Sequence, residues 1–136
     1  MEKRGIDEAL ADALGHLAHI IHNEVGWEPE GTFLYAEFEP GVVAAGLYQE
    51  PSDRVICHEP GDTLFAALSD LWYQADPDKR WRSLRYTLVG GKFEASVEYP
   101  DQWDGSESYH DRLARIRALK YGAKPIEYAP LPGMDV

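Results

Sequence analysis

A single cysteine, Cys57, in 136 residues excludes an internal disulfide framework and fits a reducing compartment. A lone cysteine on a strand is expected to act as a small buried hydrophobe rather than a reactive thiol. No run approaches the roughly 18 apolar residues of a membrane span, and the opening MEKRGIDEAL lacks a signal-peptide core. A cytoplasmic chain with no membrane partner is therefore expected. Basic residues are scarce at the start: between Gly5 and Asp53 there is no Lys or Arg against ten Asp and Glu. Residues 1–78 hold 16 acidic and 3 basic side chains, residues 79–136 hold 8 and 10, and the net charge is −11. That field repels nucleic acid and steers basic proteins. Acidity of this kind also serves solubility alone.

Catalytic signatures are missing too. There is no serine elbow, zincin helix or dinucleotide fingerprint. Gly90-Gly91-Lys92 lacks the spacing and the Ser or Thr of a phosphate loop, and it lies between strands. Cys57 and His58 are neighbours on a strand and so point to opposite faces. His16, His19 and His22 sit three apart on the first helix and drift by about 60° per step. Neighbours could share a metal, but sequence supplies no third ligand, so surface histidines are expected. The chain is read as a non-enzyme with no cofactor and no metal.

What is present is a set of periodic segments. Ile6, Leu10, Ala13, Leu14, Leu17, Ile20 and Ile21 recur at helical spacing from about Ile6 to Glu24. Strands are expected over Thr32–Glu39 and Val42–Gln49, joined through Pro40-Gly41 by a loop longer than two residues, because Pro-Gly prefers a type II turn. Arg54–His58 reads as a third strand. A second helix follows, with Asp62 as N-cap and Leu64, Phe65, Leu68, Leu71 and Trp72 as its apolar stripe. Period-two alternation on both sides of Gly90-Gly91 predicts a two-residue hairpin in which Leu88 faces Phe93, Tyr86 faces Ala95 and Leu84 faces Val97. A third helix, capped by Ser106 or Ser108, would bury Tyr109, Leu113, Ile116 and Leu119. Its cations Arg112, Arg115, Arg117 and Lys120 suit a helix C-terminus. Residues 122–136 read as an extended tail. The expected fold is a single α+β domain, a largely antiparallel sheet with about three helices, in the order α-β-β-β-α-β-β-α.

Several of these residues carry a family resemblance. Trp81, Gly91-Lys92-Phe93, Tyr99-Pro100-Asp101 and Lys120-Tyr121-Gly122, with Trp27 and the strand LYAEFE upstream, resemble the bacterial YezG-like family. The resemblance runs from Trp27 to Gly122, with Ile116 and Ala118 standing near where the family pattern has a tryptophan. It implies a small cytoplasmic immunity protein, an antitoxin that binds and neutralises a cognate polymorphic toxin, nucleases among them.

On that reading the partner is a basic toxin domain. The expected docking residues are Trp27, Glu28, Glu30, Glu37 and Glu39, on the connector and first strand where no cation neutralises them in sequence. Glu37 and Glu39, like Glu94 and Glu98, alternate outward and are expected on the solvated side of half-covered strands, with Arg85 between Glu94 and Glu98. Two other readings remain open: a small enzyme using those carboxylates and a histidine, and a generic interaction adaptor. Trp27 and Trp103 lie in connectors, either as exposed anchors or as caps on the core. The sequence leaves the oligomeric state open.

Overall fold

The computed structural model describes residues 10–25, 31–50, 53–90, 92–103 and 105–128. Its elements are α1 (Ala11–Val25), β1 (Phe33–Glu39), β2 (Val42–Gln49), β3 (Val55–His58), α2 (Asp62–Gln74), β4 (Ser83–Val89), β5 (Lys92–Glu98), α3 (Tyr109–Tyr121) and β6 (Ile126–Tyr128). The six strands form one sheet in the order β5-β4-β1-β2-β3-β6. All pairings are antiparallel except β3 with β6. The expected α+β order is present, and part of the predicted tail adds the sixth strand.

The sheet is covered on both faces, and alternation along each strand decides what each face receives. Leu34, Ala36 and Phe38 of β1, with Leu84 and Tyr86 of β4, pack against Leu14, Leu17 and Ile21 of α1 and Leu64, Leu68 and Leu71 of α2. Phe33 and Tyr35 point the other way, and with Tyr48, Val55 and Cys57 they receive Ile116 and Tyr121 of α3. β1 sits near the middle of the sheet and is buried along six of its seven residues, as a strand sandwiched between helical layers must be.

The β4–β5 hairpin has the expected register: Val89 pairs with Lys92, Leu88 with Phe93, Tyr86 with Ala95 and Leu84 with Val97. Gly90 takes φ +61, the left-handed conformation that a two-residue turn demands and glycine accepts without strain; Gly91 lies outside the described residues. The β1–β2 connection is shorter than expected. Glu39 pairs directly with Val42, leaving Pro40-Gly41 as the whole loop, with Gly41 at φ +76. A ladder of seven pairs holds the strand ends together, and the glycine absorbs the type II geometry.

Two helix details, the cap of α2 and the exposure of Leu119, differ from the sequence reading. The expected start of α1 at Ile6 lies outside the described residues. The N-cap of α2 is Gly61 rather than Asp62, which occupies the first turn and favours the macrodipole there. The Gly61 N–H is donated to the carboxylate of Glu24 on α1, tying the two helices together. On α3, Ser108 is the cap, its Oγ accepting from the Asp111 N–H at 3.1 Å. Leu119, expected inside, is 75% exposed. α3 lies over the apolar β1–β3 half of its face. Beside it the β4–β5 half presents Arg85, Thr87, Glu94 and Ser96, so Leu119 overhangs an open groove of about 380 Å³.

Candidate partner-binding surface

Glu37 and Glu39 share the α3 face of β1, but they meet different fates. Glu37 is buried at 8% exposure, and its carboxylate accepts three hydrogen bonds: from Tyr35 Oη at 2.6 Å, Arg112 Nε at 2.6 Å and Arg112 Nη2 at 2.8 Å. This overturns the expectation of a solvated carboxylate. Arg112, read as a surface cation of α3, is itself buried, because the helix crosses the strand where Glu37 points up. Its Nη1 also donates to the Glu107 carbonyl. The bidentate carboxylate raises the guanidinium pKa further, and the Tyr35 hydroxyl is pushed up by burial and by the carboxylate it binds. A group locked this way lacks the exposure to dock a partner.

Trp103 caps this cluster. Arg112 lies 3.8 Å and Arg82 4.5 Å from its ring centroid, and Arg82 donates to Glu39 Oε1 at 2.9 Å. These contacts fix the connector between β5 and α3 over the end of the sheet. Glu39 remains on the surface, its side chain 57% exposed, with Arg82 as a neighbour. Glu37, Glu39, Val42, Arg82, Trp103, Tyr109 and Arg112 together line a cavity of about 240 Å³. The charges there are matched, and the cluster clamps α3 to the sheet.

The exposed chemistry lies next to the clamp, at the β1–β2 turn. The Gly41 N–H donates to Tyr73 Oη at 2.9 Å, holding the turn against the end of α2. Tyr73 and Val42 are 47% and 55% exposed, among the few large hydrophobics that face water. Glu39 precedes the turn, Asp70 lies one helical turn before Tyr73, and Asp76 and Asp78 follow α2; all four are exposed. α2 carries no cation along its length. Arg80 closes one edge, its guanidinium 4.9 Å from the Trp72 ring and 5.0 Å from Tyr73. An aromatic anchor rimmed by carboxylates is thus present, built largely from residues that the sequence reading passed over. The signal was available, since Tyr73 falls off the apolar stripe that ends in Trp72.

Of the expected docking residues, Glu39 is exposed, Glu37 is not, and Trp27, Glu28 and Glu30 lie outside the described residues. His16, His19 and His22 are exposed on α1. Among the described residues no three His, Cys, Asp or Glu side chains come together as a metal set, and no helix is long and apolar enough to cross a membrane. Cys57 and His58 turn to opposite faces, opposite Tyr48 and Leu47. Burial raises the thiol pKa, with Arg117 opposing it, and lowers that of the imidazole. Glu98 takes Ser83 Oγ at 3.2 Å, with Arg85 at 3.7 Å as the expected counter-charge.

No protein-family model matches the chain, and no curated protein matches it significantly.

Burial also shifts five phenols. Tyr35, Tyr48, Tyr86, Tyr109 and Tyr121 are all raised chiefly by desolvation, Tyr109 to about 12. An unfolded tyrosine ionises near pH 10. Folded-state values above unfolded ones mean that this stabilisation is complete below pH 10 and is lost as pH rises through the folded values. In an alkaline titration, phenolate absorbance of these residues should rise together with loss of circular dichroism in one cooperative step. Ionisation of every tyrosine near pH 10 with the fold intact would contradict the burial.

Proposed function

We propose that this chain is a non-enzymatic bacterial immunity protein of the cytoplasm, which binds and neutralises the basic toxin domain encoded beside it. The observation that carries the reading is the Tyr73–Val42 patch with its carboxylate rim, on a chain of net charge −11. The resemblance to the YezG-like family supplies the class of partner, and the patch supplies the physics of recognition. Carboxylates accelerate encounter with a cationic surface, whereas a desolvated aromatic holds the complex. A nuclease toxin suits this division, since its nucleic-acid site is basic and carboxylates can stand in for phosphate.

The test is association kinetics with the neighbouring toxin domain, alongside survival of cells expressing that toxin. The triple variant Glu39→Gln, Asp70→Asn, Asp76→Asn should lower the on-rate by about tenfold and flatten its dependence on salt, because steering is screened within a Debye length of about 10 Å at 0.1 M. Tyr73→Ala should instead raise the off-rate. Absence of both binding and protection would sink the immunity reading. Tight binding unaffected by any of these changes would keep the function and move the surface elsewhere.

A further inference from the structure

We propose that this chain associates with a second copy of itself through the outer edge of β5, joining two sheets across a two-fold axis at Ala95. β5 ends the sheet, and among the described residues no strand pairs with its outer side. It runs seven residues without proline, whereas β6 at the opposite edge has only three. Long open edges are templates for another strand, and most proteins blunt them.

Backbone geometry fixes which groups face outward. Leu88 exchanges hydrogen bonds with Thr32 and Gly31 on the β1 side, so Val89 and the alternate residues of β4 turn toward β5. Val89 then forms the closing pair with Lys92, and the N–H and C=O groups of Phe93, Ala95 and Val97 point away from the sheet. In an antiparallel pair centred on Ala95, Phe93 meets Val97 of the second copy, Ala95 meets Ala95, and every outward group finds its complement.

Side chains select the same register. Lys92 stands opposite Glu98 at both ends of the joint, in the closer, non-hydrogen-bonded positions, while Glu94 faces Ser96. Phe93 and Ala95, only partly buried against the core that α1 and α2 cover, extend that core across the axis. Moving the register two residues one way sets Glu94 against itself, and moving it the other way sets Glu94 against Glu98 twice. Like charges directly opposite are unfavourable, and larger shifts leave most of the strand unpaired, so the register centred on Ala95 is favoured. The net charge of each copy opposes association, and one strand edge is a small interface, so the dimer should depend on concentration in the micromolar range. The proposal is independent of the immunity reading.

Sedimentation equilibrium of the full chain tests it. The wild type should pass from monomer to dimer as concentration rises. Ala95→Pro, which removes an N–H facing away from β4, should be monomeric with an unchanged circular-dichroism spectrum. Lys92→Glu and Glu98→Lys should each be monomeric alone, since like charges then oppose at both ends. Mixing the two should restore a dimer, because each chain now offers what the other lacks. A wild type that stays monomeric overturns the proposal and leaves the edge to a foreign strand. So does a dimer that survives Lys92→Glu, or a mixture that stays monomeric. If Ala95→Pro fails to fold, the charge exchange decides alone.

Discussion

Replacing Arg112 by Met should lower stability by about 3–5 kcal/mol, as expected when one member of a buried ion pair is removed and the other is left without a counter-charge. For a chain of this size that corresponds to a fall in Tm on the order of 10 °C or more. The carboxylate of Glu37 would keep only the Tyr35 hydroxyl, and the stack on Trp103 would lose the closer of its two cations. The double variant Glu37→Gln, Arg112→Met should recover most of the loss. An amide carbonyl still accepts from Tyr35, no charge is left buried, and the thioether packs on the indole. Denaturant unfolding of the two single variants and the double gives the coupling energy directly. A loss below about 1 kcal/mol for Arg112→Met would mean that water reaches Glu37 through the adjoining cavity, and that the pair does not hold α3 to the sheet.

On the opposite face of the same strand, Phe38→Ala should cost about 3–5 kcal/mol, the range for emptying a buried aromatic site. Phe38 is 1% exposed, stacked on Trp72 with centroids 6.0 Å apart and set edge-on to Trp81 at 6.1 Å. The Trp72 Nε1–H donates to the Trp81 carbonyl at 2.7 Å, so this triad fastens the end of α2 to the chain entering β4. Near-ultraviolet circular dichroism should lose its tryptophan signal in the variant. The two tryptophans should also differ from one another. Trp72→Phe breaks a buried hydrogen bond and leaves a carbonyl unpaired, whereas Trp81 Nε1 has no partner to lose. Trp72→Phe should therefore be the costlier by about 1 kcal/mol. Equal losses would assign the triad's contribution to packing alone.

The two experiments probe adjacent residues of β1, and the sequence treats them very differently. Phe38 was legible as core, because period-two alternation places it with Leu34 and Ala36, and an apolar stripe needs a covered face. The same alternation placed Glu37 with Glu39 on the other face and made that face read as solvated. Arg112 is grouped by sequence with the cations of the α3 C-terminus, but the helix begins at Tyr109, so Arg112 stands near its N-terminal end. There the macrodipole gives a cation no support, and Glu37 supplies the counter-charge instead. The pair forms between residues 75 apart in sequence, and no local pattern encodes such a meeting. The exposure of Tyr73 is legible from its place off the α2 stripe, but its meeting with the β1–β2 turn is not, because Pro40-Gly41 predicts a longer loop than the two residues that reach α2.

Sequence alone determined the periodic and local features: which segments form helix or strand, the register of the β4–β5 hairpin, the Ser108 cap among its candidates, and the strongly acidic first half. Each rests on neighbours within a few residues, where backbone geometry and side-chain pattern act directly. Only the tertiary structure decided that α3 lies across the second face of the sheet. That placement buries Glu37 with Arg112, leaves Leu119 over a groove, and leaves Glu39 on the surface beside Arg82. The reason is physical: alternation fixes which side chains share a face, but whether that face meets water is set by a helix some seventy residues away, and the cost of burying a charge is offset only by the partner that helix brings.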